Sequence, residues 1–277
     1  MKVGVIIQAR TNSSRLPKKV LLPLPWGSDT TVLQQVIRRV RRAKSISKII
    51  VATTKDKKDE QIEKIARLEK AACFCGSEKN VLKRYYQAAK TFGLEIVVRV
   101  TGDCPCVCPE LIDLIVASHV ATGADYSSNT LKRSFPRGLD VEVISFNALE
   151  KVYQKANQEF EKEHVTPFVY RHSRQFKINS ILATKELTAP QIRVTLDTEE
   201  DYTLLCLIYD YLYRTNHYFG ADDLVNLFKL KPWIGKINQK VIQKKAFLNR
   251  HEEINELLIF ARLQGLKKAE EYLKNHL

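Results

Sequence analysis

Short runs of apolar, mostly β-branched residues recur through the first hundred positions and predict buried strands. They span residues 3–8, 48–54 and 95–100, with a shorter run at 72–75. Continuous apolar runs of this length are typical of parallel strands whose two faces are both covered. We therefore expect a mostly parallel sheet in this part of the chain.

Between these runs, apolar residues recur with the spacing of an α-helix. Val32, Val36 and Val40 repeat along one face of a helix, for example. Helices are expected at 31–43, 58–69, 80–92 and 109–121. Strands that alternate with helices in this way predict an α/β layered fold.

The pattern becomes mixed after about residue 125. Strands are expected at 139–145, 177–182 and 191–196, and helices at 146–156, 163–171 and 199–213. We interpret this part as a continuation of the first domain, which would then cover residues 1–235. A helical extension over 236–277 follows, in which Gly265 separates two helices. Its apolar stripe packs on its own domain or, alternatively, forms a dimer contact or docks a partner.

Positive charge is concentrated at the two ends of the chain. The net charge is +14, of which +10 lies in residues 1–60 and +4 in residues 236–277. A basic surface attracts nucleotides, nucleic acids or membrane head groups, and charge alone does not distinguish them. No apolar run is long enough for a membrane span, and the N-terminus does not have the form of a secretory signal, so we expect a cytoplasmic protein.

The loop after the first strand is rich in cations and polar side chains. It reads Gln8-Ala-Arg-Thr-Asn-Ser-Ser-Arg-Leu-Pro-Lys-Lys19 and leaves the carboxyl end of a buried strand, where α/β sheets bind ligands. Backbone N–H groups together with Arg and Lys are suited to a polyphosphate, although an ordinary basic surface loop is the alternative. The loop is not a Walker motif, and the chain has no Gly-x-Gly-x-x-Gly dinucleotide motif.

Two aspartates follow predicted strands and are candidate metal ligands. Asp103 comes after the strand at 95–100, and Asp197 comes after the strand predicted at 191–196. Carboxylates from two strand ends can hold one Mg²⁺ against a triphosphate, whose departing pyrophosphate carries heavy negative charge. The alternative for Asp197 is a helix N-cap at the start of 199–213.

Several segments also resemble, in the same order, a known family. The first reads Ile-Ile-Gln-Ala-Arg-x-x-Ser-x-Arg-Leu-Pro-x-Lys-x-Leu over 6–21, and others lie at 76–78, 81–89, 99–105, 125–129, 135–143, 163–167 and 194–202. They resemble the cytidylyltransferase family named after spore coat polysaccharide biosynthesis protein F, which is related to CMP-sialic acid and CMP-KDO synthetases. The resemblance covers about residues 3 to 245. It implies a GT-A-like nucleotide-sugar transferase fold, with residues 1–235 as a nucleotidyltransferase domain.

The resemblance also assigns roles to individual residues. It implies catalytic roles for Arg15, Lys19, Asp103 and Asp197, the two aspartates also holding Mg²⁺. Nucleotide binding is expected from Gln8, Ala9, Arg10, Ser13, Arg15, Lys19, Ser77, Arg84 and Thr101. Acceptor binding is expected from Arg137, Asp140, Glu142, Glu163 and His164. His164 is either a general base for the acceptor hydroxyl, a group that only binds the acceptor, or a structural histidine.

Three departures from the family pattern stand out. Asn12 replaces the usual glycine, and asparagine tolerates the left-handed backbone region better than other non-glycine residues. Lys18 stands where a glycine is common and adds charge to the proposed triphosphate site. Residues 106–108 read Cys-Val-Cys where the family more often has apolar and acidic residues.

Clustered cysteines offer a competing interpretation of part of the sequence. They lie at 73, 75, 104, 106, 108 and 206, which is not the spacing of a disulfide framework, and the first five could in principle form a thiolate metal site. That set lacks the paired C-x₂-C knuckles of a structural zinc site, and reduced cysteine is a common small core residue.

The sequence therefore predicts a nucleotidyltransferase that transfers a nucleotidyl group to a sugar or sugar-acid acceptor, with CTP as the preferred donor on resemblance. Mg²⁺ is the expected cofactor, a homodimer is possible, and neither nucleic acid nor membrane is expected as a partner. A glycosyltransferase of the same fold is the alternative, although such enzymes present an Asp-x-Asp motif and this chain reads Asp103-Cys-Pro. A nucleic-acid-binding protein lacks a supporting motif.

Overall fold

The computed structural model describes residues 1–241 and 250–275. The chain divides into two compact units, Met1–Val241 and Ile242–Leu277. In the second unit, helices α10 (Arg250–Leu263) and α11 (Lys267–Lys274) are joined by a turn in which Gly265 has a φ of +67°. The predicted separation of two helices at Gly265 is confirmed. Among the described residues, no helix is both long and apolar enough to cross a bilayer.

One seven-stranded sheet forms the centre of the first unit. Its strands are β1 (Val3–Gln8), β2 (Lys48–Thr54), β3 (Ala72–Gly76), β4 (Ile96–Thr101), β5 (Tyr126–Ser128), β6 (Glu142–Ser145) and β7 (Ile178–Ser180). They lie in the order β3-β2-β1-β4-β6-β5-β7. Strand β6 is antiparallel to β4 and β5, and the other pairings are parallel. The predicted mostly parallel sheet is confirmed.

Helices cover both faces of this sheet. They are α1 (Val32–Val40), α2 (Glu60–Leu68), α3 (Val81–Thr91), α4 (Pro109–Thr122), α5 (Phe146–Lys155), α6 (Glu159–His164), α7 (Pro167–Arg171), α8 (Glu199–Leu212) and α9 (Ala221–Leu230). Alternate residues of a strand face opposite sides, so Val5 and Ile7 pack in one core cluster with α1, α2 and α4. Ile6 packs on the other face with α3 and α5. A third cluster lies beneath α8 and α9.

The sheet has a topological switch point between β1 and β4. From β1 the chain continues outward to β2 and β3, and β4 then returns to the opposite side of β1. The loops after β1 and β4 therefore diverge from neighbouring strand ends and open a crevice there. Gly102 N–H donates to the carbonyl of Gln8 at 2.8 Å. Any Cβ at Gly102 would lie 3.0 Å from that carbonyl oxygen, so glycine allows the close approach.

The strand predicted at 191–196 is wrong. Only an isolated bridge between Arg193 and Arg137 forms there. Ile192, Val194 and Leu196 do alternate and are buried, as a strand would require. Their backbone groups, however, pair with loops: the N–H of Leu196 donates to the carbonyl of Asp103 at 2.8 Å, and that of Val194 to the carbonyl of Arg137 at 2.7 Å.

The single helix predicted at 163–171 is also wrong, because the chain forms α6 and α7 in its place. Val165 lies between them with a φ of 72°, a conformation that breaks helical geometry. Pro167 then begins α7, since proline lacks an N–H and suits the first turn of a helix. The short strand β5 and the helix α9 were not predicted.

Candidate active site

A buried aspartate fixes the loop that follows β1. Asp59 accepts hydrogen bonds from the N–H of Thr11 at 2.8 Å, from the hydroxyl of Thr11 at 2.7 Å and from the hydroxyl of Thr54 at 2.6 Å. Burial alone would raise the pKa of Asp59, but these hydrogen bonds outweigh it and lower the pKa. This loop (residues 8–19), which we call the phosphate loop after the role predicted for it, is thus tied at its start to β2 and to the segment before α2. This link was not predicted from the sequence.

The left-handed position of this loop is Lys18 and not Asn12. Lys18 has a φ of 57°, which explains why a glycine is common there. Asn12 is absent from the positive-φ residues among those described, so its expected left-handed role is wrong. Its side-chain amide instead donates to Glu78 at 3.2 Å, in the loop between β3 and α3.

Lys19 joins the two predicted metal ligands. Its ammonium donates to Asp103 Oδ2 at 2.5 Å, to Asp197 Oδ1 at 2.8 Å and to the carbonyl of Leu196 at 2.7 Å. Burial works against the charge of Lys19, but the two carboxylates outweigh it and raise the pKa of the ammonium. We call these three side chains the lysine–aspartate cluster. It brings together three segments that are distant in the sequence.

Asp197 is held from several sides. Arg15 lies 3.2 Å from its Oδ1, and Arg193 donates to its Oδ2 at 2.7 Å. Burial alone would raise the pKa of Asp197, but Lys19, Arg15 and Arg193 lower it to about 2. The carboxylate is therefore ionised at neutral pH. The cap of α8 is Thr198, whose hydroxyl accepts from the N–H of Asp201, so Asp197 does not act as the N-cap.

Arg193 and Asp201 position Asp197, and the sequence analysis missed both. Arg193 forms a two-point ion pair with Asp201 at 2.9 and 3.0 Å. Asp201 also accepts from the backbone N–H of Asp197 at 3.0 Å and from Asn238 at 2.8 Å. No local pattern in the sequence indicates this arrangement, because Arg193 lies in an irregular stretch and Asp201 lies in α8.

The remaining predicted nucleotide residues line the same edge of the sheet. Gln8 and Thr101 end the neighbouring strands β1 and β4, and Ala9 is buried directly after β1. Gln8 Oε1 and Arg84 Nε are buried without a hydrogen-bond partner among the described residues. Burial lowers the pKa of Arg84, and the nearby charge of Arg10 adds to this.

Two further members of that set belong to backbone turns. The N–H of Ser13 donates to the carbonyl of Thr11 at 3.0 Å, within the phosphate loop. The hydroxyl of Ser77 accepts from the N–H of Asn80 at 3.1 Å, at the start of α3. Arg84 reaches back from α3 and donates to the carbonyl of Ser77 at 2.5 Å. Arg10 is exposed, so its cation is open to solvent at this edge.

On the predicted acceptor side, Arg137 is fixed through its backbone. Its N–H donates to the carbonyl of Ile192 at 2.8 Å. The next residue, Gly138, has a φ of +104°, and a Cβ there would lie 2.6 Å from the carbonyl carbon of Val194. Asp140 pairs with Arg133 at 2.7 and 3.2 Å. Burial lowers the pKa of Arg137, and its neighbour Arg133 lowers it further.

Glu142 is the centre of a buried polar cluster. It forms an ion pair with Arg99 and accepts from the hydroxyls of Tyr126 at 2.7 Å and Thr166 at 2.5 Å. We call these four residues the buried glutamate cluster. Both carboxylate oxygens of Glu142 therefore already have partners within the protein.

Glu163 and His164 lie at the exposed end of α6. The ring of His164 contacts Phe160, with a centroid distance of 4.7 Å. The connection to the rest of the site runs through Thr166, two residues further on, which belongs to the buried glutamate cluster. Between them, Val165 holds a backbone conformation that is strained for a β-branched residue, and such outliers cluster at functional sites.

The five cysteines of the competing interpretation do not form one site. Cys104, Cys106 and Cys108 are buried, the latter two in the core cluster beneath α8 and α9. Burial raises the pKa of Cys108 to about 11 and that of Cys106 to about 12, which keeps both thiols neutral. Cys73 and Cys75 are on the edge strand β3, on a different part of the sheet.

The crevice at the carboxyl ends of β1 and β4 thus gathers cations of the first loop and the carboxylates of Asp103 and Asp197. Comparison with known proteins gives this arrangement a class. A solved structure of a cytidylyltransferase from Leptospira borgpetersenii is 33% identical, with a TM-score of 0.79, and the match covers 90% of this chain and 100% of that one. The fold is that of the nucleotide-diphospho-sugar transferases, and the protein is a nucleotidyltransferase.

Sequence relatives give the family. The family model described as cytidylyltransferase matches residues 4–254. The spore coat polysaccharide biosynthesis protein SpsF of Bacillus subtilis is 34% identical over 82% of this chain and 94% of its own length. The 3-deoxy-manno-octulosonate cytidylyltransferase of Desulfatibacillum aliphaticivorans is 36% identical over 42% of this chain and 47% of its own. This chain belongs to the cytidylyltransferase family, as the resemblance implied.

Proposed function

We propose that the protein transfers the cytidylyl group of CTP to a hydroxyl of a sugar or sugar acid. The acceptor oxygen forms a bond to the α-phosphorus, the bond from that phosphorus to the bridging oxygen breaks, and pyrophosphate leaves. The hydroxyl proton passes to a base or to solvent. One observation carries the proposal: Lys19 draws Asp103 and Asp197 together at the ligand end of the sheet, beside Arg15.

The first loop supplies the cations that the triphosphate needs. Arg15 is about one-third exposed, and Arg10 and Lys18 are exposed on the same loop. Lys19 is more buried and contacts the carboxylates of Asp103 and Asp197. Preorganised cations stabilise the charge that develops on a departing pyrophosphate. In this proposal Arg15 and Lys19 orient the phosphates and stabilise that charge.

Asp103 and Asp197 fit a Mg²⁺ ion. Both offer carboxylate oxygens, both contact one shared cation, and the low pKa of Asp197 keeps its carboxylate ionised. When bound, Mg²⁺ would neutralise phosphate charge and polarise the α-phosphate. Asp103 and Asp197 would hold this ion, and in this proposal Lys19, which donates to both carboxylates, keeps them together.

The geometry favours an acceptor that carries an acid group. Asp140 is paired with Arg133, whereas no hydrogen bond or ion pair of the Arg137 guanidinium is found among residues 1–241 and 250–275. Arg137 is half-buried, and burial together with Arg133 and Arg193 disfavours its charge more than Asp140 and Asp197 favour it. A carboxylate of the acceptor would supply a direct partner for this guanidinium.

The direct test is pyrophosphate release. Purified protein is incubated with CTP, Mg²⁺ and a panel of neutral and acidic sugars, and products are identified by mass. We expect a CMP-linked product with at least one acidic sugar and no product without Mg²⁺. Replacing CTP by UTP, GTP or ATP should reduce the rate. Since CTP is consumed, the proposed reaction takes place in the cytoplasm.

Matched variants separate the roles. Arg137→Gln should raise KM for an acidic acceptor while leaving KM for CTP unchanged, and Lys162→Gln, on α6, is the control for a general loss of positive charge. If sugar nucleotides are hydrolysed and no pyrophosphate is released from CTP, the glycosyltransferase alternative replaces this proposal. If neutral sugars are used as well as acidic ones, the role of Arg137 is wrong although the transfer reaction stands.

A further inference from the structure

Two cysteines and a glutamate meet at the outer edge of the sheet. Cys73 and Cys75 alternate along β3, and Cys73 packs on the same core cluster as α2, whereas Phe74 packs on the opposite face. Alternate residues of a strand share a face, so both thiols point toward α2. Glu63, on α2, reaches the same place, and the ligand atoms of the three residues all lie within 4.8 Å of one another.

This set of donor atoms suits a thiophilic cation. Two sulfurs and one carboxylate oxygen are typical zinc ligands, whereas Mg²⁺ prefers oxygen alone. We propose that Glu63, Cys73 and Cys75 bind one Zn²⁺ ion, with a water at the fourth position. The site is separate from Asp103 and Asp197, because neither aspartate is among these three ligands and β3 is the edge strand of the sheet.

Glu63, Cys73 and Cys75 can give up their present interactions to bind a metal ion. Glu63 now pairs with Arg67 at 3.7 Å, but the Arg67 side chain is 77% exposed, so this pair contributes little. Zinc with two thiolates and a carboxylate carries one net negative charge, which Arg67 can offset from nearby. Burial, together with Cys75, raises the pKa of Cys73 to about 12, so binding releases the protons of both thiols to solvent.

The position of this site gives it a structural role. Strand β3 ends at Gly76, directly before Ser77, and α2 follows Asp59, which anchors the phosphate loop. A metal ion that joins α2 to β3 would therefore stabilise the two elements that adjoin Ser77 and the phosphate loop. The proposal does not depend on which acceptor or nucleotide the protein uses.

The test measures metal binding and not catalysis. Chelator-treated full-length protein is titrated with Zn²⁺ against a chromophoric chelator, and separately with Cd²⁺, whose thiolate complexes absorb in the ultraviolet. We expect one tight equivalent and a thiolate band. Loss of an outer-shell partner weakens metal binding about 10- to 100-fold, so Cys73→Ser and Cys75→Ser should each weaken it at least as much. Glu63→Gln should weaken it less.

Two controls make the outcome decisive. Cys206→Ser changes a half-buried cysteine elsewhere and should bind Zn²⁺ as the wild type does, and so should Asp103→Asn. Unchanged binding in Cys73→Ser, or loss of the same equivalent in Asp103→Asn, would overturn the proposal. If the serine variants do not fold, the Cd²⁺ titration of the wild type is the test. Absence of a thiolate band in that titration would refute the proposed zinc site.

Discussion

The lysine–aspartate cluster and the buried glutamate cluster lie at the same end of the sheet and hold their charges differently. Lys19 begins a short 3-10 helix (Lys19–Leu21), whereas Asp103 and Asp197 lie in loops. Their side chains are 11, 22 and 16% exposed. Arg99 and Glu142 form an ion pair across adjacent strands, and two hydroxyls donate further hydrogen bonds to the carboxylate of Glu142. In the proposed function the first cluster contacts the ligands, whereas the partners of Glu142 in the second cluster are side chains of β4, β5 and the segment before α7.

We therefore expect the lysine–aspartate cluster to take part in the reaction and the buried glutamate cluster to stabilise the fold. A group that must contact phosphate or metal has to give up a protein partner when the ligand arrives. A group that holds strands β4, β5 and β6 in register gains from having no such alternative.

Removing the charge of Glu142 tests the framework. Glu142→Gln leaves the Arg99 guanidinium buried without a counter-charge, and breaking such a pair costs about 3–5 kcal/mol in the free energy of unfolding. Denaturant unfolding measures this. The control is Asp140→Asn, which breaks an ion pair whose side chains are 20 and 30% exposed and should cost less than about 1 kcal/mol. Equal losses for both variants would contradict the distinction between clusters.

Removing the ammonium of Lys19 tests the chemistry. Lys19→Met should lower kcat by about 10²- to 10³-fold, which corresponds to about 2.7–4 kcal/mol of lost charge stabilisation. Steady-state pyrophosphate release measures the change. Lys18→Met, which removes the adjacent exposed cation, is the matched control and should have a much smaller effect. A Lys19→Met variant with wild-type kcat would show that this lysine only holds the two carboxylates together.

The dependence of stability on pH tests how strongly the lysine–aspartate cluster contributes to the free energy of unfolding. The pKa of Asp197 falls from its ordinary 3.8 to about 2 in the folded protein. A depressed folded pKa stabilises the protein above pH 4, and this stability is lost as the pH falls toward 2. The contribution is about 2 kcal/mol at neutral pH. Comparison of wild type with Asp197→Asn between pH 6 and pH 2 measures it, and parallel stability curves would refute it.

The smallest effect is expected at the left-handed residue of the phosphate loop. A non-glycine residue in this region costs about 1–2 kcal/mol, and glycine's extra freedom in the unfolded chain offsets part of the gain. Lys18→Gly should therefore raise the free energy of unfolding by up to about 1 kcal/mol. Thermal unfolding measures it, with Asn12→Gly as the control, since Asn12 needs no such conformation. A loss of stability in Lys18→Gly would contradict this interpretation.

Regular elements were predictable where the apolar pattern was long. The run at 48–54 coincides with β2, and the run at 3–8 coincides with β1. β5 was missed because it has only three residues, two of them serine. The segment 191–196 has the alternation of a strand, but whether a strand forms depends on a neighbouring strand to pair with, and local sequence does not contain that information.

The candidate site was predictable to the same extent. Topology places the ends of β1 and β4 together, so Lys19 and Asp103 could be expected to meet. The roles of Arg193, Asp201 and Asp59 could not be read from the sequence, because each acts by holding another residue after the chain has folded. Their charges look the same in the sequence as those of any solvent-exposed helix.

The contact between Gly138 and Val194 has a consequence for exchanging parts between relatives. Residues 136–139 carry Arg137, residues 192–197 lead to Asp197, and hydrogen bonds in both directions join the two stretches. A graft that brings a new acceptor loop without its companion stretch would misalign Asp197 as well. Acceptor preference and turnover are therefore expected to be inherited together, and both segments must be transplanted as one module.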